Sequence, residues 1–189
     1  MPSRSLTVPL ISTALVFVMQ HKDPVPRELG FVKDGYYHHI ATGVEFPVPK
    51  NWSVLSASGS SEDGEQVFLG DDATPESYVA IWLKKERHTP ADVDAMLNAA
   101  AALKRQQRDG RDTQRYTFRP NSIRHTVIGG RKAVRATADF VVVGKPQVEY
   151  FTWIFTERTR VQFDVRGDDP DASQTEMRFQ QIVRAARIP

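Results

Sequence analysis

The chain has no cysteine among its 189 residues. That excludes disulfides, thiolate metal sites, a cysteine nucleophile and lipid attachment through an N-terminal cysteine. Net charge is also scarce: 25 basic and 23 acidic residues leave a formal +2, too little to mark the chain for a polyanion by its overall field. The apolar run Leu6 to Met19 is broken by Pro9 and falls short of the ~20 residues a spanning helix needs. The signatures G-x-G-x-x-G, G-x-x-x-x-G-K-[ST] and H-E-x-x-H are absent, which removes the usual dinucleotide, phosphate-loop and zinc-protease readings. A serine nucleophile on a G-x-S-x-G elbow is missing too, since Gly59-Ser60-Ser61 lies in a polar loop and His125 stands beside Arg124 without an evident orienting carboxylate.

What is present suits one folded domain. A hydrophobic fraction of 40% with ten phenylalanines can build a core, and a chain of this size buries roughly 68–70% of the surface it exposes unfolded. Arg4 followed by Leu6 to Met19 and the polar Gln20-His21-Lys22-Asp23 has the layout of an export signal, so residues 1–20 read as a signal peptide or N-terminal anchor. Pro24 and Pro26 make residues 21–34 a linker. Residues 35–189 form the domain.

Within it, short strands are expected at Gly35–Ile40, Val44–Val48, Ser53–Ser58, Glu65–Gly70 and Tyr78–Lys85. The last carries Val79, Ile81 and Leu83 against Tyr78, Ala80 and Trp82, and apolar residues on both faces predict cover on both faces. A helix begins at Thr89-Pro90, with threonine as cap, proline in the first position and Asp92 in the third. Its stripe is Val93, Met96, Leu97, Ala100 and Leu103, and Gly110 ends it. Four strands follow, Ser122–Ile128 with Arg131–Val143 across Gly129-Gly130, then Gln147–Glu157, then Arg160–Arg166. A second helix is capped by Asp169 with Pro170 behind it and buries Phe179, Ile182, Val183 and Ala186. The order predicts an α+β fold: a layered α/β sandwich with a largely antiparallel sheet and two main amphipathic helices.

Three pieces carry a family resemblance: Gly43-x-x-Phe46-x-x-Pro49-x-x-Trp52, the hairpin Gly129-Gly130-Arg131-Lys132-Ala133, and a closing helix with Phe179-x-x-Ile182 and the tail Arg187-Ile188. Over about residues 35–189 the chain resembles the PsbP-like superfamily, which includes the photosystem II subunit PsbP and DcrB-type bacterial envelope proteins. The resemblance implies a binding or accessory scaffold and no catalytic residues. DcrB-type members are typically lipoproteins, and this chain departs from them in having no cysteine to lipidate.

The strongest charge feature is a basic run. Lys104, Arg105, Arg108, Arg111, Arg115, Arg119 and Arg124 face only Asp109 and Asp112, with Tyr116 and Phe118 interleaved. The first six are the candidate interaction surface, set around a helix end and a connecting loop, for an acidic protein, an envelope component or anionic headgroups; the bland alternative is a solvated loop. Such a run can also grip single-stranded nucleic acid, but export makes nucleic acid an unexpected partner. His38 and His39 point to opposite faces of a strand; Glu45 from the next strand could join either as a weak metal candidate, against the simpler reading of exposed edge-strand histidines. Asp63, Asp71 and Asp72, or Asp168, Asp169 and Asp171, lack the spacing of a calcium loop. No cofactor is indicated. The expectation is a non-enzymatic binding or accessory protein of the bacterial envelope, periplasmic or extracellular. The alternatives are a small hydrolase with an unrecognised site and an intracellular chaperone-like or polyanion-binding module.

Overall fold

The structure is a computed structural model that describes residues 29–60, 64–71, 74–108, 113–142, 144–167 and 172–189. The expected export signal and the first part of the linker lie outside the described residues. Among the described residues eleven strands and two helices run in the order β1 (Gly30–Lys33), β2 (Tyr36–His39), β3 (Glu45–Pro47), β4 (Ser53–Ser60), β5 (Gly64–Asp71), β6 (Thr74–Lys85), α1 (Pro90–Arg108), β7 (Thr113–Phe118), β8 (Arg124–Ile128), β9 (Arg131–Val142), β10 (Lys145–Phe155), β11 (Thr159–Gly167) and α2 (Ala172–Ala185). A three-stranded sheet has the order β1-β2-β3. An eight-stranded sheet runs β4-β5-β6-β11-β10-β9-β7, with β8 also paired to β9. Every pairing is antiparallel. The α+β class with a mainly antiparallel sheet and two helices is therefore as the pattern predicts.

Local chemistry explains most boundaries. Thr89 and Asp92 form a reciprocal cap on α1: the Asp92 N–H donates to Thr89 Oγ1 at 3.2 Å, and the Thr89 N–H donates back to Asp92 Oδ2 at 2.8 Å. These bonds hold the Asp92 carboxyl below its usual range. At the β8–β9 hairpin Gly129 and Gly130 both take positive φ, 55° and 77°, as a two-residue primed turn requires. The β10–β11 turn closes on Thr156, whose Oγ1 accepts the N–H groups of Arg158 and Thr159 at 3.1 and 2.9 Å. The cap expected at Asp169-Pro170 lies outside the described residues.

Two strands escape the periodicity argument. β1 lies inside the expected linker. It has only four residues and is mostly exposed, so burial imposes no alternation on it. β7 occupies the expected loop of the basic run. A bulge between Gln114 and Thr117, with Arg115 at φ 55°, breaks its alternation.

Core packing centres on β10, where Val148 through Phe155 are all buried. Phe151, Trp153 and Phe155 pack with Val134, Ala136 and the α1 stripe Val93, Leu97 and Ala100. Val148, Tyr150 and Ile154 pack the opposite way, in the cluster that holds Phe179, Ile182, Val183 and Ala186 of α2 and Phe46 of the small sheet. Each face of β10 is thus met by a helix.

The expectation for β6 is only half met. Val79, Ile81 and Leu83 are buried, but Tyr78, Ala80 and Trp82 are only partly covered. α1 packs mainly over β7, β9 and β10. Trp82 is instead shielded by the Arg160 guanidinium, 4.5 Å from its ring centre, and by Gly64, where a Cβ would come within 2.4 Å of the indole.

Trp153 is buried at 2% exposure between two other aromatic rings. Trp153→Ala is expected to cost about 3–5 kcal/mol through lost transfer energy and an unfilled cavity. Urea denaturation measures this, and a loss under about 1 kcal/mol would contradict the packing described.

Candidate functional site

The structure disperses the basic run. Lys104 is not on the surface: it is wholly buried, on the same helix stripe as Val93, Leu97 and Ala100. Its Nζ lies 2.6 Å from Asp164 Oδ1 on β11 and 3.3 Å from Glu149 Oε1 on β10. Glu149, also wholly buried, receives the Tyr116 hydroxyl at 2.7 Å and Arg166 Nε at 3.1 Å. Gln162 donates its side-chain amide to Asp164. Lys104 therefore drops out of the candidate surface, because the position continues the 3.6-residue period of a buried face. Arg119 grips Asp139 through Nε and Nη2 at 2.8–3.0 Å. Arg105 is exposed and stacks over Phe118 at 5.5 Å, and Arg115 is exposed at the β7 bulge. Arg108 ends α1, while its side chain and all of Arg111 lie outside the described residues.

The histidine pair divides as strand geometry requires. His38 Nδ1 meets Glu45 Oε1 at 2.9 Å. The third corner is a cation: Glu45 Oε2 takes Arg187 Nη1 at 2.9 Å. Arg187 holds the Glu45 carboxyl below its usual value, helped by His38 and opposed by desolvation. Arg187 is raised in turn, chiefly by Glu45. His39 is not an exposed edge residue. β2 is the middle strand of its sheet, and His39 is 1% exposed, with Nδ1 2.8 Å from Thr42 Oγ1 and Nε2 2.6 Å from Glu65 Oε2. Among the described residues no three histidine or carboxylate side chains gather where they could hold a metal ion. Of the aspartates considered for calcium, Asp63, Asp72, Asp168, Asp169 and Asp171 lie outside the described residues.

A different cationic site emerges between α2 and the β8–β9 hairpin. It is a cleft of about 510 Å³ with Arg124, Arg135, Thr137 and Gln180 among its lining residues. Arg124 and Arg135 sit directly opposite one another on paired strands. Like charges in that relation destabilise a sheet. Burial lowers the Arg135 pKa, Arg184 and Arg124 lower it further, and Glu176 opposes the shift. Among the described residues no hydrogen bond or ion pair holds the Arg135 guanidinium, and Arg124 has only Nε donating to Asn121 O at 3.3 Å. The Gln180 Oε1 is buried without a donor. Ser122 Oγ donates to Thr137 O at 2.9 Å and fixes the rim. Such a constellation can hold an anion, since arginine forks match oxyanion geometry.

Of the described residues of the basic run, Arg119 and Arg124 line this cleft. The sequence analysis singled out neither Arg135 for binding nor Arg184. Their signal was present: Glu176, Gln180 and Arg184 recur every four residues beside the buried stripe of α2, and Arg135 and Thr137 alternate with Val134 and Ala136.

No protein-family model matches the chain, and no curated protein matches its sequence. The fold does have solved counterparts. LpqN, involved in cell envelope biogenesis of Mycobacterium tuberculosis, superposes with a TM-score of 0.55 at 17% identity, covering 79% of this chain and 85% of LpqN. Cyanobacterial PsbP from Synechocystis sp. PCC 6803 superposes with a TM-score of 0.61 at 13% identity, covering 85% of this chain and 96% of that one. A Bacteroides thetaiotaomicron protein gives a TM-score of 0.51 at 10% identity, over 77% of this chain and 45% of its own. The chain is thus PsbP-like at the level of fold. Among the described residues no helix is long and apolar enough to cross a membrane.

Two outcomes follow from the internal charges. Lys104→Ala and Lys104→Met both leave Glu149 and Asp164 without their shared cation, and each is expected to cost about 3–5 kcal/mol. Chemical denaturation of both variants beside Arg105→Ala decides it, and an effect of Lys104→Ala no larger than that of the surface arginine would refute the buried triad. Ionised Glu45 stabilises the fold above its ordinary pKa of 4.5, and this is lost as pH falls through its lower folded value. The melting-temperature advantage of wild type over Glu45→Gln should therefore hold at about pH 7 and shrink at about pH 3. An advantage that grows on acidification would reverse the sign argued here.

Proposed function

We propose that this chain is a non-enzymatic binding or accessory protein of the bacterial envelope that engages an anionic envelope component or acidic partner protein. The single observation that carries the reading is the arginine cleft beside α2. Arg124 and Arg135 face one another there with Glu176 in the lining, and Arg184 lowers the Arg135 pKa further, at a cost to sheet stability that the fold does not otherwise need. The buried acids and bases elsewhere are held to each other: Lys104 with Glu149 and Asp164, and His39 with Glu65. They serve as internal ties and do not converge on a cleft as acid–base machinery would.

Location rests on two supports. Leu6 to Met19 has the form of an export signal, and one solved counterpart is described as involved in cell envelope biogenesis. We read the arrangement of helices on both sides of the main sheet as the layered α/β sandwich of PsbP-like scaffolds. On that scaffold two open cationic surfaces among the described residues are the cleft and, separately, the exposed Arg105 and Arg115.

Each cation near an anionic surface is worth about 1 kcal/mol and is screened beyond a Debye length of about 8–10 Å at ordinary salt. Wild type should co-sediment with phosphatidylglycerol vesicles or bind poly-glutamate in a salt-sensitive way. The double variant Arg124→Gln/Arg184→Gln should lose about tenfold or more at low salt, and Arg105→Gln/Arg115→Gln should lose less. Equal retention of all three at every salt concentration would refute the cleft as the binding surface.

A further inference from the structure

We infer that the open edge of β8 is a docking site for an extended acidic segment of a partner protein, which adds to the main sheet as a further strand. This rests on the proposed function and narrows its partner to a polypeptide. Antiparallel pairs alternate between residues bonded to one another and residues whose backbone groups point away from the ladder. The two-residue turn at Gly129-Gly130 makes Ile128 and Arg131 a bonded pair. Counting back along β8, Thr126 and Arg124 are also bonded to β9, while Val127 and His125 turn their N–H and C=O groups outward. Among the described residues β8 has no second strand beside it, and no hydrogen bond reaches those outward groups. Native sheets blunt such an edge with charge, proline, a bulge or a cover. β7, on the same side of β9, has its bulge; β8 has no bulge and no proline, and its one arginine lies at the cleft. Its aliphatic side chains are open to solvent instead, Val127 at 66% and the adjoining Ile123 at 44%.

Charge selects the occupant. Arg124, Thr126 and Ile128 share the face turned toward α2, where Ile128 joins the core cluster of Phe179 and Ile182. Arg124 and Arg135 line the cleft on that face against Glu176, a surplus of one positive charge, and neither arginine has an ion pair among the described residues. Arg119, also in the lining, is paired with Asp139. One carboxylate on the added strand, directly across from Arg124, balances that surplus. His125 and Val127 share the other face, so the residues across from them are aliphatic and form the bonded pairs of the new ladder. The segment thus alternates acidic and aliphatic side chains. A second copy of β8 does not fit that description, because the strand contains no acidic residue and would only add cations to the cleft.

The probe is a hexapeptide alternating valine and glutamate, read by calorimetry and by amide NMR. It should bind wild type and protect the His125 and Val127 N–H groups from exchange, and a valine–lysine counterpart should not bind. Val127→Pro removes an outward N–H without touching the β9 ladder, so it should fold and weaken the peptide by at least about tenfold. Arg124→Gln should weaken it by about tenfold as well. Methylating the valine backbone nitrogens of the peptide, which face β8 in this register, should abolish binding, and methylating the glutamate nitrogens should leave it intact. That comparison leaves the protein unaltered and decides the mode even if Val127→Pro fails to fold. Equal binding of the two methylated peptides, or equal binding by wild type and a folded Val127→Pro, overturns strand addition. Should phosphatidylglycerol vesicles or poly-glutamate still bind in that case, the broader anionic-partner reading stands alone; loss of every anion removes both. Self-association of wild type that Val127→Pro abolishes would give the edge to a second copy and overturn the inference.

Discussion

Eight consecutive residues of β10, Val148 to Phe155, are buried, and most of the architecture follows from that single constraint. A strand with no solvent-facing side must be covered twice. One face therefore demands α1 and the other demands α2 together with the small sheet. A strand deep in a sheet also needs neighbours on both edges, and β9 and β11 flank it over nearly its whole length. Antiparallel hairpins supply those neighbours with short turns, so Gly129-Gly130 and Thr156 act on the core from a distance.

Charge then selects among the arrangements that burial would allow. Lys104 joins α1 to β10 and β11 through two carboxylates. Shifting the helix by one turn would strand the buried Lys104 and take a cation from Glu149 and from the partly buried Asp164, a penalty of several kcal/mol for a buried ion. The same device recurs at other joints. His39 and Glu65 tie the small sheet to β5, and Glu45 and Arg187 tie it to the segment after α2, where the backbones of those two residues also bond each other at 2.8 and 2.9 Å. Each pair links segments far apart in the chain, so the ion pairs report how the pieces dock more than how each piece forms.

The arginine cleft behaves in the opposite way. Among the described residues the buried His39, Glu65, Lys104 and Glu149 have partners, but here Arg124 and Arg184 both act against the charge of Arg135, with Glu176 opposing them. A core built only for stability would relax that repulsion with one neutral substitution. Its retention is what gives the cleft its functional interest, as sites commonly trade stability for binding.

Periodicity and turn chemistry by themselves determined the class of this protein. The Thr89-Pro90-Asp92 cap, the Gly129-Gly130 hairpin, the two-faced pattern of residues 148–155 and the stripe Phe179, Ile182, Val183 and Ala186 are all local signals, read at spacings of two, three or four residues. They also carried the resemblance to a PsbP-like fold. Strand β1 was illegible because an exposed four-residue strand has no burial pattern to show, and β7 because a bulge scrambles alternation. The site was illegible for a deeper reason. Whether a cation is solvated, paired or open depends on what lies across the fold from it. Lys104 and Arg105 are adjacent in sequence, yet one is sealed between Glu149 and Asp164 and the other lies in solvent. Arg135 and Arg184 are distant in sequence, yet the charge of Arg184 lowers the Arg135 pKa. Coulomb interactions act through space between residues tens of positions apart, and only the tertiary structure sets those distances.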